Sequence, residues 1–231
     1  MEVSIRMKNG LLALALVSIS GVAFAQTPQA PPAPAATAAA PQPAARPASP
    51  AGSAQTQVAG SYVKDEKGSE QYRNGKWLEI TYGRPIKRGR DVFGSGADYG
   101  KTLNAGAPVW RAGANQATRL TTEVPLVIGG KTVPAGSYNL YVELKSPTEW
   151  TLIVSTWGAK KTGNDPTPDT LWGSYNYTAD KDVVRVPMTV SKSPASIDQL
   201  TWGFCDITAE GGKMFLAWDM ANAMVSFAVA K

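Results

Sequence analysis

Apolar residues recur at every second position through residues 61–231, and this limits the fold more than any other feature of the chain. Leu78, Ile80 and Tyr82 alternate with Glu79 and Thr81. Tyr138, Leu140, Val142 and Leu144 alternate with Ser137, Asn139, Tyr141 and Glu143. Trp150, Leu152 and Val154 follow, then Val184, Val186, Met188 and Val190. Leu200, Trp202 and Phe204 share a face, as do Met214, Leu216 and Trp218. A period of two lays each set on one side of a strand. No window carries the 3.6-residue period of an amphipathic helix.

Turn chemistry separates the runs. Gly129-Gly130 suits a two-residue hairpin with positive φ. Pro134-Ala135-Gly136, Ser146-Pro147-Thr148 and Glu210-Gly211-Gly212-Lys213 join further runs. Pro187 lies inside a strand pattern, which places that strand at an edge or at a bulge. Near the C-terminus the alternation slips by one between Trp218 and Val225, so a bulge or corner is expected around Met220 to Ala223. About nine short strands with this spacing predict an all-β fold, an antiparallel β-sandwich in a single domain. Trp202 and Trp218 are expected in its core. Trp157 and Trp172, which flank a Gly/Asp/Pro loop, are the tryptophans expected at the surface.

Composition sets the boundaries. Residues 1–25 read as a secretory signal peptide: Arg6 and Lys8, an apolar run from Leu11 to Ile19, then Ala23-Phe24-Ala25 as the cleavage pattern before Gln26. The apolar run is too short to act as a stop-transfer helix, so no transmembrane segment is expected after its removal. No cysteine follows it, which argues against a lipoprotein. Residues 26–60 hold 13 Ala and 8 Pro, with Val58 the only sizeable aliphatic. Such a segment buries too little to offset its ordering entropy, and it is expected to be a disordered Ala/Pro-rich linker. Residues 61–231 hold all 7 Trp and all 8 Tyr and form the expected β-sandwich domain. An exported protein, periplasmic or extracellular, follows from this reading.

Whole classes of chemistry drop out. With no histidine, Ser-His-Asp and Cys-His catalysis and imidazole metal ligation are impossible. The single cysteine, Cys205, forms no intramolecular disulfide, and with no histidine or lysine close by it reads as an inert thiol. Residues 61–231 carry 20 basic and 17 acidic residues, too small an excess to argue for nucleic acid. Asp165 to Asp169 and Asp180 to Asp182 lack the glycine-punctuated spacing of a calcium loop, so no metal site is assigned. No cofactor motif is present, and no catalytic residue is assigned.

Two glycine-rich, charged segments break the alternation, Gly83 to Gly94 and Val109 to Thr118. Together they hold Arg84, Lys87, Arg88, Arg90 and Arg111. Guanidinium groups grip carboxylate or phosphate in paired hydrogen bonds, and an indole stacks on a ring. Arg84, Arg90, Trp110, Arg111 and Asn115 are therefore the candidate ligand-binding residues, for a small anionic or carbohydrate-like ligand. Arg84 and Arg90 also suit a purely structural role, paired with carboxylates such as Glu79, Asp91 or Asp98, and Asn115 suits a positive-φ turn.

The run Tyr82-Gly83-Arg84-Pro85, Lys87-Arg88-Gly89-Arg90, Phe93-Gly94, then Trp110 through Thr118, resembles the bacterial domain-of-unknown-function 2911 family. Gly130-Lys131, Ala135-Gly136, Tyr138, Glu149-Trp150 and Trp218-Asp219 match later positions. Ala112 stands where the family pattern has Thr, Arg88 is an extra basic residue, and Ser95 to Pro108 is longer than the pattern. The resemblance implies an exported β-rich domain and no established activity. Three readings stay open: a non-catalytic binding module, a carboxylate-based hydrolase, and a structural tethered envelope domain.

Overall fold

The computed structural model describes residues 48–231; the signal-peptide reading and most of the linker reading fall outside them. In chain order the strands are β1 (Ala51–Val58), β2 (Ser61–Lys64), β3 (Glu70–Arg73), β4 (Lys76–Gly83), β5 (Thr118–Thr122), β6 (Leu126–Ile128) and β7 (Lys131–Val133). They continue with β8 (Gly136–Ser146), β9 (Glu149–Ser155), β10 (Gly158–Ala159), β11 (Thr170–Leu171), β12 (Asp182–Pro187), β13 (Thr189–Cys205) and β14 (Gly211–Val229). One α-helical turn, α1 (Lys101–Asn104), lies in the long connection before β5.

Two main sheets form the sandwich. The larger runs β1-β4-β5-β8-β9-β12 and the smaller β13-β14-β6-β7, and pairing within both is antiparallel. Leu78, Ile80, Leu120, Leu140, Val142, Leu152 and Val154 of the larger sheet share one core with Ile128, Leu200, Trp202, Leu216, Trp218 and Phe227 of the smaller. Trp202 and Trp218 are each 2% exposed, on adjacent strands. The period-two pattern therefore read the inward face correctly. Gly129 and Gly130 take φ 57° and 77° between Ile128 and Lys131, the turn that a two-residue hairpin requires. β12, which ends in Pro187, is an edge strand, where a missing N–H costs no ladder bond.

Two expectations change. Residues 51–58 were placed in the disordered linker, yet they form β1, pairing with β4 over eight residues from Ala51↔Gly83 to Val58↔Lys76. The strand carries almost no aliphatic payload because it sits at a sheet edge, where backbone hydrogen bonds do the work and Val58 alone is fully buried. The corner near the C-terminus sits at Asp219, φ 51°, rather than at Met220 to Ala223. The extra residues that make the register shift lie on β13, between Lys192 and Thr201.

The outer face of the larger sheet is divided. Over β8 and β9 it is roofed by the excursion between β9 and β12, which buries Tyr141, Ile153, Leu171 and Tyr177 in a second small core. Over β1, β4 and β5 the exposed positions are polar apart from Ala51 and Trp77.

Candidate functional site

The two glycine-rich segments do lie side by side. The Ala114 N–H donates to the Gly83 carbonyl at 3.2 Å, and a Cβ on Gly83 would stand 2.0 Å from the Ala114 carbonyl oxygen. Only glycine permits that approach. Asn115 takes φ 63° and its Nδ2 donates to the Ser49 carbonyl at 3.2 Å, so it serves a turn.

The arginines do not converge. Arg84 Nε donates to the Leu200 carbonyl at 3.4 Å. Arg90 donates to the Lys87 and Ile86 carbonyls at 3.0 and 2.7 Å. Arg111 Nη1 donates to the Asn115 carbonyl at 2.6 Å, and its guanidinium packs so close to Gly173 that a Cβ there would stand 2.6 Å from it. Burial pulls the Arg111 pKa down, partly offset by the neighbouring Tyr141 hydroxyl. Arg84 thus ties its loop to β13, while Arg90 and Arg111 each brace their own loop. Trp110 is 1% exposed, ring-stacked on Trp218 at 6.1 Å, and edge-on to Phe93 and Trp150. It is a core residue and offers no stacking surface to a ligand.

The acids expected to neutralise these loops act elsewhere. Asp91 accepts from the Gly94 N–H, Asp98 pairs with Lys101, and Glu79 accepts from Ser53 and Gln55. The ion pair that anchors the first loop joins Lys87 to Asp219, 132 residues later, with Ser196 donating to the same carboxylate oxygen at 2.9 Å. Burial pushes the Asp219 carboxyl up, but the Lys87 and Ser196 hydrogen bonds and the Lys87 charge outweigh it and hold the group below the ordinary aspartate range. The Lys87 and Asp219 side chains are 20% and 17% exposed.

The most exposed tryptophan among the described residues lies on the bare half of the larger sheet, while Tyr62 and Tyr175 are exposed elsewhere. Trp77 is 47% exposed, whereas Trp157 and Trp172 are half-buried and Lys181 covers the Trp157 ring at 4.2 Å. Trp77 sits across from Gln57 on one side, and its backbone N–H donates to Glu123 Oε2 at 2.8 Å on the other. On the next outward row Glu79 lies between Gln55 and Thr121. Gln55, Trp77, Glu79, Thr121 and Glu123 line a shallow depression of about 300 Å³. Glu79 Oε1 accepts from Ser53 Oγ at 2.9 Å and from Gln55 Nε2 at 2.7 Å. Each carboxylate is thus held through one oxygen by protein donors. The alternation itself carried the signal: with Leu78, Ile80 and Tyr82 inward, Trp77 shares the outward face of Glu79.

Among the described residues no group of three or more His, Cys, Asp or Glu side chains is placed to hold a metal ion. Asp165 caps its own turn, accepting from the Lys161 and Thr167 N–H groups at 3.0 Å each, while Asp169 pairs with Lys181. Among the described residues no helix is long and apolar enough to cross a membrane.

The profile of a family described as a protein of unknown function, DUF2911, matches residues 65–227. The chain belongs to the DUF2911 family. No curated protein and no solved structure matches it. Much of the DUF2911-like pattern in this chain is now explained by packing: Phe93, Trp110, Trp150 and Trp218 form one aromatic cluster, and Lys87 meets Asp219.

Proposed function

We propose that this protein is an exported, non-catalytic module that holds a carbohydrate on the bare face of its larger sheet, with Trp77 as the stacking platform. The exposed Trp77 indole carries the reading. A large apolar ring left in water beside oriented hydrogen-bond acceptors suits a ligand with an apolar face and a hydroxyl edge, as a pyranose has. Glu79 and Glu123 are already anchored by protein donors, so accepting a sugar hydroxyl would order little more. Their charge disfavours an anionic ligand here, and the arginines that suggested one are engaged with backbone carbonyls. The signal-peptide pattern of residues 1–25 supports export.

Two carboxylates around one depression also favour a second reading, a glycoside hydrolase. A general acid in such an enzyme needs a desolvated carboxyl. Glu79 is half-buried and Glu123 exposed, on an open face, so binding without turnover is the better supported reading. Affinity electrophoresis in gels containing hydroxyethylcellulose, xylan, mannan or dextran tests it. The parent protein should be retarded by at least one of the four, and Trp77→Ala should lose that retardation with its circular dichroism unchanged. A parent that runs freely in all four gels refutes the reading, as does equal retardation of the variant. Release of reducing sugar that Glu79→Gln abolishes would establish the hydrolase instead.

A further inference from the structure

We infer that a cleft at the Asp219 corner, separate from the Trp77 face, is a second binding site, and that it takes a small neutral molecule with a flat apolar body and one hydroxyl. The cleft encloses about 310 Å³ between the loop carrying Phe93 and Tyr99 and the strand segments carrying Val190 and Met220. Phe93 and Tyr99 are stacked at 5.9 Å and 14°. They are fixed from behind: Trp150 Nε1 donates to the Tyr99 hydroxyl at 3.0 Å, and Trp218 lies 5.9 Å from Phe93. The apolar wall is therefore preformed.

Asp219 and Lys192 supply the charge at this wall. Asp219 Oδ1 is occupied by Lys87 and Ser196, while Oδ2 has no protein partner. The residue sits at φ 51°, a left-handed turn conformation that aspartate tolerates, and this sets it at the corner of the strand. The Lys87 ion pair already balances the carboxylate, so the open oxygen offers hydrogen-bond acceptance rather than net attraction for a cation. Lys192, exposed at the rim, repels an ammonium group further. A hydroxyl is the donor that fits. The volume is at the small end of ligand pockets, about 300–1,000 Å³, and so suits a single ring rather than a fused polycycle.

The test uses p-cresol and toluene, which differ by the hydroxyl alone, titrated into the protein and followed by calorimetry. Saturable p-cresol binding is expected, with toluene at least tenfold weaker, because a site that engages a hydroxyl rejects the analogue lacking it. Ala221→Trp, which fills the cleft, should abolish binding. Should that variant fail to fold, the Met220 methyl carbon resonance of the parent decides, and it should shift on saturation with p-cresol. Trp77→Ala should bind p-cresol as the parent does, which separates this site from the carbohydrate face. Absence of saturable p-cresol binding, equal affinity for toluene, a folded Ala221→Trp that still binds, or an unmoved Met220 signal overturns the inference.

Discussion

Truncating Trp110 to alanine separates a core residue from a ligand platform. The indole is 1% exposed, and its backbone exchanges hydrogen bonds with Val142 at 2.8 and 2.9 Å, so collapse around a vacancy is hindered from both sides. It stacks on Trp218 at 6.1 Å and 18°, and meets Phe93 and Trp150 edge-on at 6.3 and 6.4 Å. Deleting a buried tryptophan side chain costs about 3–5 kcal/mol. Each aromatic pair adds about 0.5–1.5 kcal/mol beyond burial, which points to the upper part of that range. At about 2–4 °C per kcal/mol for a chain of this size, a loss of about 4–5 kcal/mol should lower Tm by roughly 8–20 °C. Urea unfolding followed by far-ultraviolet circular dichroism measures the loss directly, and Trp110→Phe should recover part of it. A loss below about 1 kcal/mol would refute the packing argument. So would a Trp110→Ala protein of parental stability that no longer binds carbohydrate, because the indole would then be serving a ligand.

Three further outcomes follow from the same geometry. Lys87→Met leaves the largely buried Asp219 carboxylate without its cation and should cost about 1–3 kcal/mol. The Asp219 pKa is depressed in the folded state, so its contribution is present above the ordinary aspartate range and is lost as pH falls through the lower folded value; Lys87→Met should flatten the parent's stability loss below about pH 4. Tyr141, pushed up to about 12 chiefly by burial, favours the folded state while protonated. That contribution is intact below about pH 10 and is lost as pH rises through about 12, so urea midpoints should fall over this range, and fall less in Tyr141→Phe. A chain beginning at Ser61 lacks β1, strips the edge of β4 and loses the fully buried Val58, worth about 1.5–3 kcal/mol by itself. Against a chain beginning at Ala45 it should show a lower urea midpoint and, by size-exclusion chromatography, association through the bared edge.

What was legible in the sequence follows from how locally each feature is encoded. A strand's inward face is written in neighbouring residues, so the period of two placed Leu78, Leu140, Leu152, Trp202 and Leu216 in the core without knowledge of topology. The Gly129-Gly130 turn needs only its own two φ angles. β1 was missed because an edge strand with one covered face can be built from Ala, Gly, Ser, Thr and Gln, a composition shared with disordered linkers. Trp110 was misplaced because it lies outside the alternating runs, joined to Val142 by a single bridge, so no period marked which way its ring turns.

The charged loops show the same limit from the energetic side. Five cations in two short segments looked unpaired because nearby acids are few. Arginine needs no acid when backbone carbonyls of irregular chain must be satisfied, and Arg84, Arg90 and Arg111 meet that need at Leu200, Ile86, Lys87 and Asn115. The pair that does require opposite charge spans 132 residues, a separation that no local pattern records. It exists because β13 carries extra residues opposite the corner of β14, which turns Asp219 toward the Lys87 loop and opens the cleft beside it. The distortion that hid the pairing from the alternation is therefore the one that sets Asp219 at the wall of the cleft. The regular half of the fold was readable because it repeats; the Asp219 site lies where the repeat is interrupted.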